Sequence, residues 1–396
     1  MKKILLVSPF PPSQNPRLVK EFTALKSAGY EVKAIYAERD KWASKQNTDF
    51  GPDFILVGGK IGSFLHLFTR LLHKVSKRFL PYAYSYHRTS LLLLAKAKQF
   101  EADLYIGHDL TTLPIVVKAA QKNNSRAGFD AEDFHRNEVS DDKNSFFYQA
   151  AISLENKYIP MLSHLTTSSP LISSKYNKLY PGCKAQTIYN AFPAMYIAEA
   201  NLLRQGRPIR LFWFSQTIGR DRGIEIVIEA MSILFNFQIT LTLLGMISRE
   251  DKSYFEGLAL SKKINTEQLL FLEPVKPEEI FVIANKHDIG LALEQDIPYN
   301  RNICLTNKMF TYLTAGLAII ATKTQAQEKF LSENPEVGLT FAINDQYALV
   351  ELLNTYLTDI GLLNMHKMNA RNLAVTKFNW DIEAKKLLAI IDLYKS

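Results

Sequence analysis

The chain alternates short apolar runs with amphipathic helical stretches, and the alternation stops midway and starts again. The first series opens with the apolar run Ile4–Val7. A Pro-rich loop follows, then Leu18, Phe22 and Leu25 recur at helical spacing up to Gly29, and EVKAIYA resumes as a strand. It continues through FILV (54–57), helical segments to about Phe100, DLYIG (103–107), a helix after Pro114, AGFDA (127–131) and HLTT (164–167). A second series begins at IRLFWF (209–214). A Gly-containing loop follows, then a helix from about Gly223, TLTLL (240–244), LLFL (269–272), DIGLAL (288–293) and LAIIA (317–321). Such alternation predicts mostly parallel sheets covered by helices. The restart predicts two α/β domains joined near Asn190–Gln205, where NAFPAM breaks the preceding strand, with a cleft between the sheets. The closing segment from Trp380 sets Ile382, Leu387, Ile390, Ile391 and Tyr394 along one helical stripe, which must dock on something.

Composition narrows the class. Hydrophobic content of 47% and charged content of 22% are those of a globular enzyme without long disordered tracts. The only cysteines, Cys183 and Cys304, lack any CxxC or Cys/His pattern, which disfavours disulfides and structural zinc and suits a reducing cytosol. Too few apolar residues precede Ser8 for a signal-peptide core, and no apolar run approaches transmembrane length. The net charge of +8 is unevenly placed: Lys60, Arg70, Lys74, Lys77, Arg78, Arg88, Lys96 and Lys98 fall between Phe54 and Phe100 without one Asp or Glu. Within that window Phe64, Phe68, Leu71, Val75 and Phe79 share a helical face while basic residues take the others. A stripe of this kind ordinarily faces a core, but a basic amphipathic helix also suits an anionic membrane surface, here through residues 60–80. No nucleic-acid-binding motif accompanies the charge, so nucleic acid is not expected as a partner.

Two segments of the second series could carry chemistry. In open α/β sheets ligands bind beyond the carboxyl ends of the strands, which singles out SQTIGRDRG, Ser215–Gly223. Gly219 and Gly223 permit close backbone approach, the next helix offers its N-terminal amides, and Arg220 and Arg222 can offset phosphate charge. A structural βα loop is the plain alternative. NKMFTYLTAGLAIIAT, Asn307–Thr322, reads as a helix ending at Gly316 before an apolar strand. Lys308 in its first turn opposes the helix dipole, as an anion nearby would explain; the plain reading is a capped helix with a solvated lysine. In the first series His108 and Asp109 follow one strand, and Glu132, Asp133 and His135 follow a later one. No strict DxD occurs and no divalent-metal pattern forms, so no metal site is expected.

NKMFTYLTAGLAIIAT resembles the donor-site signature of GT-B glycosyltransferases, particularly glycosyltransferase family four. The opening SPFPPSQNPRLVKEFTALKSAGYEVKAI is similar to that family's first βαβ unit, SQTIGRDRG to its phosphate loop, VKPEEIFVIANKHDIGLAL to the helix and strand before the donor site, and FNWDIEAKKLL to its closing helix. The resemblance implies two Rossmann-like domains facing across a cleft. Residues 1–195 would bind the acceptor, 196–378 the nucleotide-sugar donor, and 379–396 would form a helix packing back on the first domain. It implies a retaining, metal-independent glycosyltransferase with no tightly bound cofactor, using a nucleotide-diphosphate sugar and a glycan or lipid-linked acceptor in cell-surface polysaccharide or glycoconjugate synthesis. It would work in the cytoplasm, peripherally on the inner face of the cell membrane. The donor-binding residues would be Gln216, Thr217, Gly219, Arg222, Asn307, Lys308 and Thr311. His108 and Glu294 would serve the transferred sugar, with Asp109, Glu132, Asp133 and His135 on the acceptor side. Gln216 stands where the family has an arginine and Thr311 where it often has a glutamate, and the segment from Glu294 to Thr311 is longer than the family pattern. Two alternatives share the architecture: a nucleotide-sugar epimerase or hydrolase, and a non-catalytic membrane- or glycan-binding protein.

Overall fold

The structure is a computed structural model that describes residues 2–38, 50–198 and 208–393. The end of the expected join, 199–205, and Tyr394 of the terminal stripe lie outside the described residues. Two compact units are present: Met1–Tyr189 with Pro298–Asn300 and Ala384–Ser396, and Asn190–Ile297 with Arg301–Glu383.

Among the described residues the first unit has seven strands: β1 (Lys3–Ser8), β2 (Glu31–Tyr36), β3 (Phe54–Leu56), β4 (Leu104–His108), β5 (Arg126–Ala131), β6 (His164–Thr167) and β7 (Gln186–Thr187). They pair in the order β3-β2-β1-β4-β5-β6-β7, parallel throughout. A parallel sheet needs both faces covered, so its central strands are buried along nearly their whole length, as in β4. Helix α1 (Pro16–Ser27) begins where the Asn15 side chain accepts from the Leu18 amide and Pro16 takes the first turn. At the other end of the chain, the helix Trp380–Asp392 brings Asp392 to the Tyr30 hydroxyl at 2.5 Å within this unit.

Among the described residues the second unit has six parallel strands: β8 (Ile209–Ile218), β9 (Ile239–Ile247), β10 (Leu269–Leu272), β11 (Ile289–Ala292), β12 (Ala318–Thr322) and β13 (Gly338–Phe341), in the order β10-β9-β8-β11-β12-β13. Trp213, Leu241, Leu291, Ile320 and Phe255 belong to its buried core. Several strand boundaries differ from expectation, that of β8 most. The strand IRLFWF does not end at Phe214 but continues through a register shift to Ile218, pairing Thr217 with Met246. The shift sits where Gly245, at φ 151°, brings its Cα so close to Ser215 that any side chain would lie 2.3 Å from the Ser215 carbonyl oxygen.

Helix α2 (Phe64–Ser76) also differs from an ordinary core helix. The residues it turns inward are His66 and Thr69, with His73 partly covered, whereas its apolar face points outward. None of the helices among the described residues is long and apolar enough to cross a membrane.

Candidate functional site

In the second unit the carboxyl ends of β8 and β11 and the start of the helix Asn307–Ala315 converge on one carboxylate. Glu294 follows β11 and is anchored through its own carbonyl, which accepts from the Thr322 hydroxyl at 2.6 Å. Its Oε1 lies 2.7 Å from the Lys308 ammonium, and Thr306 Oγ1 stands 3.5 Å away. Burial pushes the Glu294 carboxyl up, but Lys308, then Arg301 and Arg222, outweigh it and hold the group below its ordinary range. Three cations therefore act on one carboxylate, a local excess of positive charge.

Arg222 enters from the loop after β8, where its Nη1 donates to Ser215 Oγ at 2.8 Å. Burial lowers its proton affinity, Arg301 lowers it further, and Glu294 opposes both. Gly223, at φ 79° before the helix Ile224–Ile233, holds a left-handed conformation that glycine adopts freely, and a side chain there would also press on Leu293 Cβ at 3.0 Å. Its backbone thus delivers that helix's free amides beside the carboxyl end of β8. Gly219 is different: a side chain there would meet nothing within 4 Å.

The structure brings Arg222, Glu294 and Lys308 together. Asn307 is exposed at the start of the same helix as Lys308, and Gln216 and Thr217 are exposed on the β8 extension. Thr311 is buried within its helix at 1% exposure. Arg220, named from sequence as a phosphate partner, instead pairs with Glu250 at 3.0 Å and Asp251 at 3.2 Å. Arg301 was not legible as a site residue. It lies in the segment that runs longer than the family pattern, and within that segment Pro298–Asn300 pack with the first unit.

In the first unit His108, at the end of β4, is 2% exposed and enclosed by charge. Its Nε2 lies 3.0 Å from Glu21 of α1, and its Nδ1 lies 3.5 Å from Asp130 of β5. Asp130 in turn receives Arg17 of α1 at 2.5 and 2.8 Å and the Thr166 hydroxyl at 2.7 Å. Burial alone would strip the imidazole of its proton, but Glu21, then Asp130, push its pKa up to about 9. Asp130 is held far below the ordinary carboxylate range: burial raises it, and Arg17 and His108 overcome that. Arg17⁺, His108⁺, Glu21⁻ and Asp130⁻ form a balanced buried quartet. Glu21, His108 and Asp130 have atoms close enough together to hold a cation. Arg17 already takes both Asp130 oxygens, however, and the four charges cancel without one.

A second group lies beyond it. Asp109 sits at φ 75° and ψ 148°, a backbone conformation foreign to residues with a side chain, and its Oδ1 accepts from the Thr111 amide at 2.8 Å. Asp133 accepts from Asn300 Nδ2 at 2.7 Å, while Asn300 Oδ1 takes the Phe134 amide. Burial, then Glu138 and Glu132, push the Asp133 carboxyl up to about 7. His135 Nδ1 lies 2.7 Å from Glu138, and although burial lowers its pKa, Glu138, Asp109 and Asp133 carry it to about 9. Glu132 is partly buried, and burial raises its carboxyl. The sequence named Asp109, Glu132, Asp133 and His135 but missed Glu138, three residues beyond His135. It also missed Arg17 and Glu21, whose i,i+4 spacing on α1 was the available signal.

No protein-family model matches the chain, and no curated protein matches its sequence. Solved structures do. Sucrose-phosphate synthase from Thermosynechococcus elongatus aligns with a TM-score of 0.75 at 15% identity, over 99% of this chain and 99% of that one. A glycosyltransferase from Rickettsia africae gives 0.69 at 15% identity over 99% and 98%. HepE from Anabaena, in complex with UDP-glucose, gives 0.69 at 13% identity over 99% and 100%. These likenesses establish the fold, the two Rossmann-like domains of GT-B glycosyltransferases.

Proposed function

We propose that this chain is a glycosyltransferase that moves a sugar from a nucleotide-diphosphate donor to a glycan or lipid-linked acceptor, with retention and without a metal ion. The observation that carries the reading is the cation excess at Glu294: Arg222, Arg301 and Lys308 beside the N-terminus of the helix Ile224–Ile233 suit a diphosphate. That HepE was solved with UDP-glucose on the same fold supports a donor of this class.

The Lys308–Glu294 pair gives the reading a mechanism. Without donor, the Lys308 ammonium is neutralised by Glu294 at 2.7 Å. An arriving diphosphate competes for Lys308 and Arg222, and the released carboxylate turns to accept from the hydroxyls of the donor sugar. The cations then stabilise charge growing on the departing diphosphate, and a phosphate oxygen takes the proton of the incoming acceptor hydroxyl as the new glycosidic bond forms on the same face. Gln216, Thr217, Gly219 and Asn307 line the donor side, and Thr311 supports the helix from within. His108 acts from beneath by fixing the strand end at Asp109; touching a sugar would require its ring to leave the quartet. Asp109, Glu132, Asp133 and His135 offer acceptors and one cationic donor to acceptor hydroxyls.

The enzyme acts at the cytoplasmic face, and the acid-free segment of residues 60–80, with Lys60, Arg70, Lys74, Lys77 and Arg78, is its contact with an anionic membrane. The test is turnover with UDP-, GDP- and ADP-sugars in the presence of lipid-linked and free glycan acceptors, with NMR assignment of the product anomer. Transfer with retention is the expected result. An inverted product removes the retaining mechanism, hydrolysis or epimerisation of donor alone favours those activities, and no turnover across the panel removes the enzyme.

A further inference from the structure

The polarity of α2 is inverted. Phe64 is 85% exposed, Phe68 51%, Leu71 66%, Val75 59% and Phe79, just past the helix, 76%; Leu65, Leu67 and Leu72 are exposed as well. The inward face is polar and made to fit. Thr69 Oγ1 receives Arg88 at 3.0 Å, and His73 Nε2 meets the Ser85 carbonyl oxygen at 2.8 Å. His66 is 4% exposed with its amide on Ser63. The orientation is thus pinned from below, and a large continuous apolar patch is left in water, well beyond the scattered apolar residues of an ordinary surface.

Charge identifies what covers it. Arg70, Lys74, Lys77 and Arg78 flank the apolar side chains and are exposed, and no acid occurs from Phe54 to Phe100. A second copy of this helix would bring four cations against four. A bilayer bearing anionic headgroups instead supplies hydrocarbon to the outward face and counter-charge to its flanks. The aromatic surface continues beyond the helix: Lys77 sits 4.1 Å over the Phe146 ring, which contacts Tyr82 and Tyr86, beside the exposed Phe147. Tyr and Phe rings with adjoining lysines suit the headgroup boundary.

We infer that α2 is an insertion helix: it lies in the plane of an anionic bilayer with Phe64, Phe68, Leu71, Val75 and Phe79 below the headgroups and Arg70, Lys74, Lys77 and Arg78 among them. This goes beyond attraction of a basic segment to a charged surface, since the apolar face makes the attachment. It also stands apart from the transferase reading, because vesicle binding needs no donor.

The full chain is floated with vesicles of phosphatidylcholine and with vesicles also containing phosphatidylglycerol. It should partition onto the anionic vesicles, with raised salt weakening binding but leaving a fraction attached. Phe68→Glu with Leu71→Glu should lower partitioning at least 10-fold, and Lys74→Gln with Lys77→Gln by less. Both pairs replace exposed side chains, and circular dichroism with thermal melting should show the fold unchanged. If those variants do not fold, Phe64→Trp and Phe79→Trp supply the readout, with the wild-type emission subtracted: a blue-shifted, quencher-shielded difference on vesicles supports insertion, and an unshifted one overturns it. Failure of the wild type to float, full loss of binding at high salt, or a concentration-dependent dimer dispersed by Leu71→Glu would each overturn the proposal. The last would make the face a self-interface.

Discussion

His108 shows how strongly one side chain depends on its enclosure. Its ordinary pKa of 6.5 is pushed up to about 9, so folding takes up a proton and the quartet's stabilisation is complete below pH 6.5. As pH rises through 9 the folded imidazole loses that proton and the contribution disappears, each tenfold difference in proton affinity being worth about 1.4 kcal/mol. The urea midpoint should fall between pH 6.5 and 9. In His108→Gln that slope should flatten, leaving the parts owed to His135, raised to the same value, and to Asp133, raised to about 7. An unaltered slope in the variant would show that the imidazole is not charged in the folded chain. Arg17→Met should cost about 3–5 kcal/mol, since it leaves Asp130 buried without its main partner. At Glu294 the expected signature is kinetic. Glu294→Gln should bind nucleoside diphosphate more tightly, because it no longer competes for Lys308, while kcat with the nucleotide sugar falls about 10-fold or more. Weaker diphosphate binding in that variant would remove the exchange of partners at Lys308.

Single elements were legible where pattern alone decides and illegible where neighbours do. HLTT and LLFL were found to the residue because each is a short run of β-branched or apolar residues bounded by polar turns, HLTT buried throughout and LLFL, at the sheet edge, leaving Leu270 and Leu272 exposed. The edge strands QT and GLTF, Gln186–Thr187 and Gly338–Phe341, were missed: two residues carry no period, and a glycine start reads as a loop. The overrun of β8 depends on Gly245 of a different strand and so has no local signature. Glycines carry such hidden contacts elsewhere. Gly290 of β11 lies under Tyr312, whose Cγ would stand 2.3 Å from any added side chain and whose hydroxyl holds the Leu291 carbonyl. Gly290→Ala should therefore destabilise by roughly 1–3 kcal/mol through overpacking, read as a lower melting temperature. A neutral effect would mean that Tyr312 moves freely. In α2 the period gave the helix, but a period fixes the width of an apolar stripe and not the direction in which it points.

Across the molecule, the two-sheet plan was readable because alternation of strand and helix repeats over hundreds of residues and averages out local error. The site was readable only in part. Arg222, Glu294, Arg301 and Lys308 come from the ends of different elements, and their convergence is set by strand order β8-β11-β12, which no single stretch of sequence states. A cation cluster of this kind should respond to its ligand as a whole. At about 100 times its Kd the right nucleotide sugar should stabilise the chain by about 2.7 kcal/mol. The resulting rise in melting temperature should vanish in Arg222→Ala with Lys308→Ala. A shift that persists in the double variant would place the nucleotide elsewhere. Insertion of α2, as proposed, would change what such assays measure. For a protein resting on a bilayer, the acceptor that matters is counted per unit area of membrane. Diluting the lipid at constant acceptor in the tube would then alter the rate, while adding protein-free buffer would scarcely change it.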